Sequence, residues 1–532
     1  MLMARAGEDA YFCGPALWRV FPARVATLVI EAILVFSPYI GAACALAAAS
    51  NAYAQVSSGA ATTLASKMPA QNVSAYPASP AYPLKASANN RYLVDQNNVP
   101  FLMVGDSPQT LIVNLSQADA ATYMANRRKY GINTLWINIL CNTSNDCNKA
   151  AATFDGIIPF TVVNDLSTPN PAYFQRADDM INIAAANGMT VLLDPIETSS
   201  WLDTLRANGV AKAFAYGQFL GNRYKNFPNI IWMHGNDFQS WQNATDDALV
   251  QAVARGIRSA DTNHIHTVEL NYLTSGSLDD PSWRPLIELD AAYTYFPTYA
   301  QVLTEYNRPD FKPVFMVEGL YEFEHFAYTD SGSTQNLRRQ EYWTMLSGAT
   351  GQVYGSFYTW RFAKGWETNL DTPGAIQLGY MKNLFTSRKW YDLIPDQIHS
   401  DVIAGYDSFS GLVGRRLASL GLSGIVSKLI GKLSGVGTIP TNTYVTAARS
   451  SDGSLVIAYT PSIRTITVDM SKLAGPATAR WYDPTNGMYI DASGSPLANS
   501  GEKEFVPPAQ NSAGDSDWVL VLECSDRSPL RR

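Results

Sequence analysis

The chain has 532 residues, too many for one ordinary domain and enough for a barrel of roughly 250 residues or more plus a smaller module. Its 39 basic and 46 acidic residues give a formal charge of −7, which argues against a broad electrostatic footprint for nucleic acid. The 12 Trp and 28 Tyr either fill a large core or offer flat apolar faces to sugar rings, and composition does not choose between these uses.

In chain order, residues 1–54 combine Arg5, Arg19 and Arg24 with an apolar run from Val25 and close on Ala52-Tyr53-Ala54, a small-x-small cleavage pattern. This reads as a secretory signal peptide, although Glu31 and Pro38 interrupt the apolar stretch. An uncleaved N-terminal membrane anchor is the rival reading, and either puts the protein outside the cytoplasm, secreted or periplasmic. Residues 55–84, rich in Ser, Ala, Pro and Thr, read as a flexible linker. Cys141 and Cys147 can close a small loop in an oxidising compartment, leaving Cys524 free. There is no CxxC pair and no HExxH sequence, so no metal or organic cofactor is expected.

From 85 to 400, short apolar runs alternate with amphipathic stretches, the pattern of buried parallel strands each followed by a covering helix. The strand candidates are Phe101–Val104, Thr134–Ile139, Thr190–Leu193, Ile230–His234, His266–Leu270, Ala291–Tyr295, Val314–Val317 and Val353–Tyr358. Eight units predict a closed (β/α)8 TIM barrel. The rival, a doubly wound open sheet, lacks a GxGxxG or phosphate loop at the start of any unit. From 401 to 524 short alternating strands separated by Asp-Gly and Asn-Gly turns predict a small C-terminal antiparallel β-sandwich. A helical insertion near 412–436 carries Leu422, Ile425, Val426, Leu429, Ile430 and Leu433 at helical spacing, with Lys428 and Lys432 among them. Packing of that face against the barrel or sandwich is the plain expectation, and weak contact with a membrane surface is the second.

Strand C-termini of a parallel barrel open onto one face, so chemistry is expected just after them. Asp237 follows the fourth strand and Glu318 the seventh, and glycoside cleavage needs such a pair of carboxyl groups. Both therefore become the catalytic candidates. Asp106, Asn138, Asp194 and Tyr295 at the ends of other strands, with His234 and Asn236 beside Asp237, are candidates for binding substrate, a polysaccharide or oligosaccharide. Tyr358 and Trp360, alternating at the end of the eighth strand, are candidates for a stacking platform. Each also has a plain structural role open to it: loop anchor, core histidine or packed aromatic. A non-catalytic carbohydrate-binding or exopolysaccharide-associated surface protein on a degenerate barrel is the alternative function, and retention of both carboxylates counts against it.

Several motifs together resemble the apiosidase-like family of glycoside hydrolases, with the C-terminal domain that carries a collagen-binding label. They are Arg91-Tyr92-Leu93-Val94-Asp95, Pro100-Phe101-Leu102-Met103-Val104-Gly105-Asp106, Arg223-Tyr224, Asn229-Ile230-Ile231-Trp232, Gly235-Asn236-Asp237, Val317-Glu318-Gly319, Arg338-Arg339, Tyr342-Trp343 and, in the C-terminal part, Trp481-Tyr482-Asp483-Pro484. The resemblance implies Asp237 as general acid/base, Glu318 as nucleophile, retaining hydrolysis, and a plant pectic or bacterial polysaccharide as substrate. Ser107-Pro108-Gln109 stands where the family usually has an aromatic, and Gly351-Gln352 where it often has Gly-His, so the sugar subsite is expected to differ. Nothing in the C-terminal residues supplies a physical basis for binding collagen.

Overall fold

Eight short apolar runs, each ended by a polar or small residue, form parallel strands because a β-strand buried on both faces needs apolar side chains throughout. They are β1 (Met103–Asp106), β2 (Thr134–Asn138), β3 (Thr190–Asp194), β4 (Ile230–His234), β5 (His266–Val268), β6 (Asp290–Thr294), β7 (Val314–Glu318) and β8 (Gly351–Tyr354). The computed structural model describes residues 79–141, 147–271, 274–324, 332–406, 438–492 and 494–524. The signal segment, most of the linker, and the insertion near 412–436 with its 422–433 face lie outside the described residues.

The strands run in the order β5-β4-β3-β2-β1-β8-β7-β6, each parallel to its neighbour. β5 and β6 come together without a ladder, and the Ser277 side chain bridges them. Its hydroxyl donates to the Val268 carbonyl at 2.5 Å and accepts from the Ala291 amide at 2.8 Å. The fifth unit also departs from the regular pattern. In place of a covering α-helix it has a short strand, Thr274–Gly276, antiparallel to β6, followed by two 3₁₀ turns.

The other units carry α1 (Gln117–Lys129), α2 (Pro171–Ala186), α3 (Thr198–Tyr224), α4 (Ala244–Ala260), α5 (Thr298–Tyr306), α6 (Thr334–Leu346) and α7 (Pro373–Thr386). Their starts follow local chemistry. Asn170 caps α2 with Pro171 in its first turn, and Asn243 caps α4 by accepting from the amides of Thr245 and Asp246. α3 and α4 pack backbone to backbone: a Cβ on Gly217 would sit 2.1 Å from the Val253 carbonyl, and one on Gly256 2.1 Å from that of Phe214.

Three expectations are corrected. The strand read as Phe101–Val104 is two elements, since Pro100–Phe101 belongs to an N-terminal antiparallel ribbon and β1 begins only at Met103. The eighth strand stops at Tyr354 rather than Tyr358, and Phe357 to Phe362 form turns. The end of the linker is not free: the Tyr82 hydroxyl lies 3.1 Å from Thr190 Oγ1, and the Ala81 amide donates to Asp95 at 3.0 Å. With Leu93 donating to Thr350 Oγ1 at 2.9 Å, this segment and the ribbon sit at the strand N-termini, the end opposite the mouth.

The C-terminal part has a six-stranded and a three-stranded antiparallel sheet. In the larger sheet alternate side chains go different ways. Val456, Ala458, Trp518, Leu520 and Leu522 face the three-stranded sheet, while Leu455, Ile457, Tyr459, Val519 and Val521 join the barrel's core. α6 forms the seam. Tyr342 stacks on Tyr459 at 5.0 Å, and Arg338, almost fully buried, binds Asp517 through Nε and Nη2 at 2.8 and 2.7 Å and Asp515 at 2.7 Å.

Removing one partner of a buried, multiply bonded ion pair leaves the other charge without compensation. Arg338→Ala is expected to lower unfolding free energy by about 3–5 kcal/mol, read by urea denaturation. A loss under 1 kcal/mol would mean that the seam does not rest on this pair.

Candidate active site

Asp237 reaches the mouth of the barrel through three successive residues in the left-handed region, Gly235 (φ 103°), Asn236 (60°) and Asp237 (50°). Asn and Asp tolerate this conformation better than other non-glycine residues, and at Gly235 any Cβ would sit 2.0 Å from the Glu269 carbonyl. The Gly-Asn-Asp run is thus the local sequence that lets the chain turn at the end of β4. The Thr198 hydroxyl holds it by donating to the Asn236 carbonyl at 2.9 Å. Glu318, the last residue of β7, is buried.

Phenols join the two acids. The Tyr293 hydroxyl lies 2.9 Å from both Asp237 Oδ1 and Glu318 Oε1. Tyr295 donates to the same Glu318 oxygen at 2.5 Å, and Tyr321 donates to Glu318 Oε2 at 2.9 Å. Tyr321 is itself held by Ser107 at 2.7 Å and Gln109 at 3.2 Å. Tyr293 has one proton and two carboxyl neighbours, so the second contact is a hydrogen bond only if the acid pair carries a proton.

The electrostatics agree. Burial, and then the charge of Asp237, push the Glu318 carboxyl up to about 8 against the pull of its three phenol donors. Burial also raises Asp237. A third carboxyl lies beside them: Glu269, fully buried, is pushed well above the usual range by desolvation and by the charges of Glu318 and Asp237. Its Oε2 accepts from the Asp237 amide at 3.4 Å, and its Oε1 has no hydrogen-bond partner among the described residues.

The other candidates divide. Tyr295 belongs to the cluster, and Asn236 borders it, with its amide 3.4 Å from Gln109 Oε1. Asp106 does not reach the cleft. It is fully buried, with Oδ2 at 2.5 Å from both Arg127 Nε and the Tyr123 hydroxyl and Oδ1 accepting from the Ser107 amide. His234 is likewise a core residue, 3.0 Å from the His266 ring and held neutral by burial, which drops it to about 3. Asn138 and Asp194, neighbours across β2 and β3, are both fully buried; Asn138 accepts from the Trp136 indole and Asp194 from the Ile196 amide. The Tyr358–Trp360 platform is not formed by strand alternation, because both residues lie in the turn after β8 and Trp360 binds Glu324 through its indole. Sequence reasoning missed Tyr293, Tyr321 and the part played by Glu269. Tyr293 was within its reach, since in the expected strand Ala291–Tyr295 it precedes Tyr295 by two and so shares its face.

The family model "Apiosidase-like, catalytic domain" matches residues 87–392, more than half of the chain. Residues 436–523 match "Putative collagen-binding domain of a collagenase". Among solved structures, a "Glycoside hydrolase" aligns with TM-score 0.67 at 22% identity over 83% of this chain and 97% of its own. A glycoside hydrolase family 5 protein from Bacteroides vulgatus aligns with TM-score 0.68 at 21% identity over 83% and 93%. At such identities the likeness is one of fold. A search among curated proteins returns no match.

A carboxyl raised to about 8 in the fold, against roughly 4.3 in an unfolded chain, makes the folded state bind the extra proton between those values. Its contribution to stability is present in full below the lower value and is lost as pH rises through the upper. Glu318→Gln, which cannot ionise, is therefore expected to melt above the wild type, with a gap that widens from pH 5 to pH 8. Parallel melting curves across that range would show that burial of this acid carries no such cost.

Proposed function

Because the chain belongs to the apiosidase-like family and has a glycoside-hydrolase fold, we propose that it cleaves glycosidic bonds by retaining double displacement, with Glu318 as nucleophile and Asp237 as general acid/base. The observation that carries this reading is the single hydroxyl of Tyr293, 2.9 Å from an oxygen of each acid. Two such contacts laid end to end fall short of the roughly 6.5–9.5 Å by which an inverting pair admits a water, and suit the roughly 5–5.5 Å of a retaining pair.

The hydrogen bonds divide the roles. Tyr295 and Tyr321 donate to Glu318, and Tyr293, whose hydroxyl also lies 2.9 Å from Asp237 and from Tyr295, is free to give its one proton to Glu318 once Asp237 carries a proton of its own. In the reactive form the single proton that the pair holds up to about pH 8 sits on Asp237, and Glu318 is ionised. In the first step Glu318 attacks the anomeric carbon while Asp237 gives its proton to the departing oxygen. In the second, Asp237 takes a proton from water, whose oxygen displaces Glu318 from the sugar. The phenols that stabilise the free carboxylate also receive it back as the leaving group.

A plant pectic or bacterial polysaccharide is the proposed substrate, and a site of action outside the cytoplasm is supported by the Cys141–Cys147 disulfide. Release of reducing sugar from a panel of pectins and bacterial exopolysaccharides tests the activity. Asp237→Asn and Glu318→Gln are expected to lower kcat by about 10²–10⁴-fold or more; unchanged turnover would overturn the assignment. Proton NMR of the first product should show the anomer of the substrate, and the opposite anomer would remove the retaining mechanism. Loss of the pair's shared proton predicts that kcat/KM falls on the alkaline side near pH 8.

A further inference from the structure

Phe323 combines two unfavourable features. It is an aromatic residue in the left-handed region, with φ 66°, and its side chain is 41% exposed. A bulky residue in this conformation is an outlier, and the strain persists only where the surroundings fix it. Here they do. Glu322 pairs with the strand continuation after β8, its amide donating to Gly355 at 2.8 Å and its carbonyl accepting from Phe357 at 2.9 Å. The Glu322 carboxylate accepts from Tyr354 and from the Gly374 amide, and Glu324 accepts from the Trp360 indole. The chain closes tightly between them, the Glu324 amide donating to Tyr321 at 3.2 Å. Phe323 is thus the tip of a turn clamped by a carboxylate on either side.

The position of the turn gives the tip a use. It begins three residues after Glu318, and Tyr321, two residues before the tip, donates to Glu318. The Phe323 ring meets Tyr358 at 5.5 Å and 72°, so the two rings make a corner, and Phe357 backs Tyr358 at 5.3 Å. Core packing does not require an exposed ring on a strained backbone, and a flat apolar face fixed five residues beyond Glu318 on the same loop suits the C–H face of a sugar.

We propose that Phe323 and Tyr358 form a stacking corner for a sugar ring of the substrate, adjoining the bond that is broken. This deepens the glycosidase reading and rests on it. Phe323 is then a specificity residue of the mouth, touching sugar but no reacting atom.

The test is affinity electrophoresis of the full chain through gels containing soluble pectin, glucomannan, xylan or a bacterial exopolysaccharide, carried out in the Glu318→Gln background so that nothing is consumed. At least one polymer should retard the parent. Phe323→Ala should weaken that retardation by about 3- to 10-fold, and Phe323→Trp should restore it. Phe323→Gly, which relaxes the left-handed backbone, should melt above Phe323→Ala yet bind as poorly, separating lost contact from lost fold. Equal retardation of the parent and Phe323→Ala, or no retardation of the parent by any polymer, would overturn the corner. Failure of the glycosidase reading would instead appear as no reducing sugar from the native chain, whatever the gels report.

Discussion

Two carboxyl groups within reach of one phenol cannot both be charged without penalty once water is removed, and the arrangement of the barrel mouth follows from that constraint. Tyr293 can satisfy only one of them. The remaining donors, Tyr295 and Tyr321, are both directed to Glu318, and none of this set goes to Asp237. The asymmetry distinguishes two otherwise similar acids, since three phenol oxygens lie within reach of Glu318 and one within reach of Asp237. Ser107 and Gln109, from the loop after β1, fix Tyr321 in turn. Elements from β1, β4, β6 and β7 thus converge on this acid pair, which a curled sheet makes possible by bringing distant strand ends to a common rim.

Much of this was legible in the sequence for a physical reason. An ionisable residue placed within three positions of the end of Ile230-Ile231-Trp232-Met233-His234, or directly after Val314-Phe315-Met316-Val317, stands where desolvation is costly, and function is a frequent reason for tolerating the cost. The Gly235-Asn236-Asp237 run also shows its backbone requirement, since these residue types accept a left-handed turn most readily. What stayed hidden was partnership. Asp106 occupies a strand end as Asp237 does, but Arg127, 21 residues on, has already taken its charge, and strand position cannot reveal that. Tyr321 gave no signal of its own, because a phenol that is buried and a phenol that serves a carboxylate look the same in one dimension. Tyr358 and Trp360 were misplaced through an assumed strand that ends four residues early, at Tyr354.

The C-terminal sheets follow a related logic. In the larger sheet both faces are apolar, one toward its own partner sheet and one toward the barrel, so its strands read as almost unbroken hydrophobic runs such as Trp518-Val519-Leu520-Val521-Leu522. A free-standing sandwich would instead alternate apolar and polar residues outward. A brace that completes the barrel's core accounts for this pattern without appeal to any ligand.

The attachment of Tyr82 at Thr190, and of the ribbon at Thr350, also sets the polarity of the molecule. The chain enters the barrel at the base, behind the acids. A support or fusion partner grafted at residue 79 would grip the molecule from the end opposite the two acids and leave the mouth facing outward.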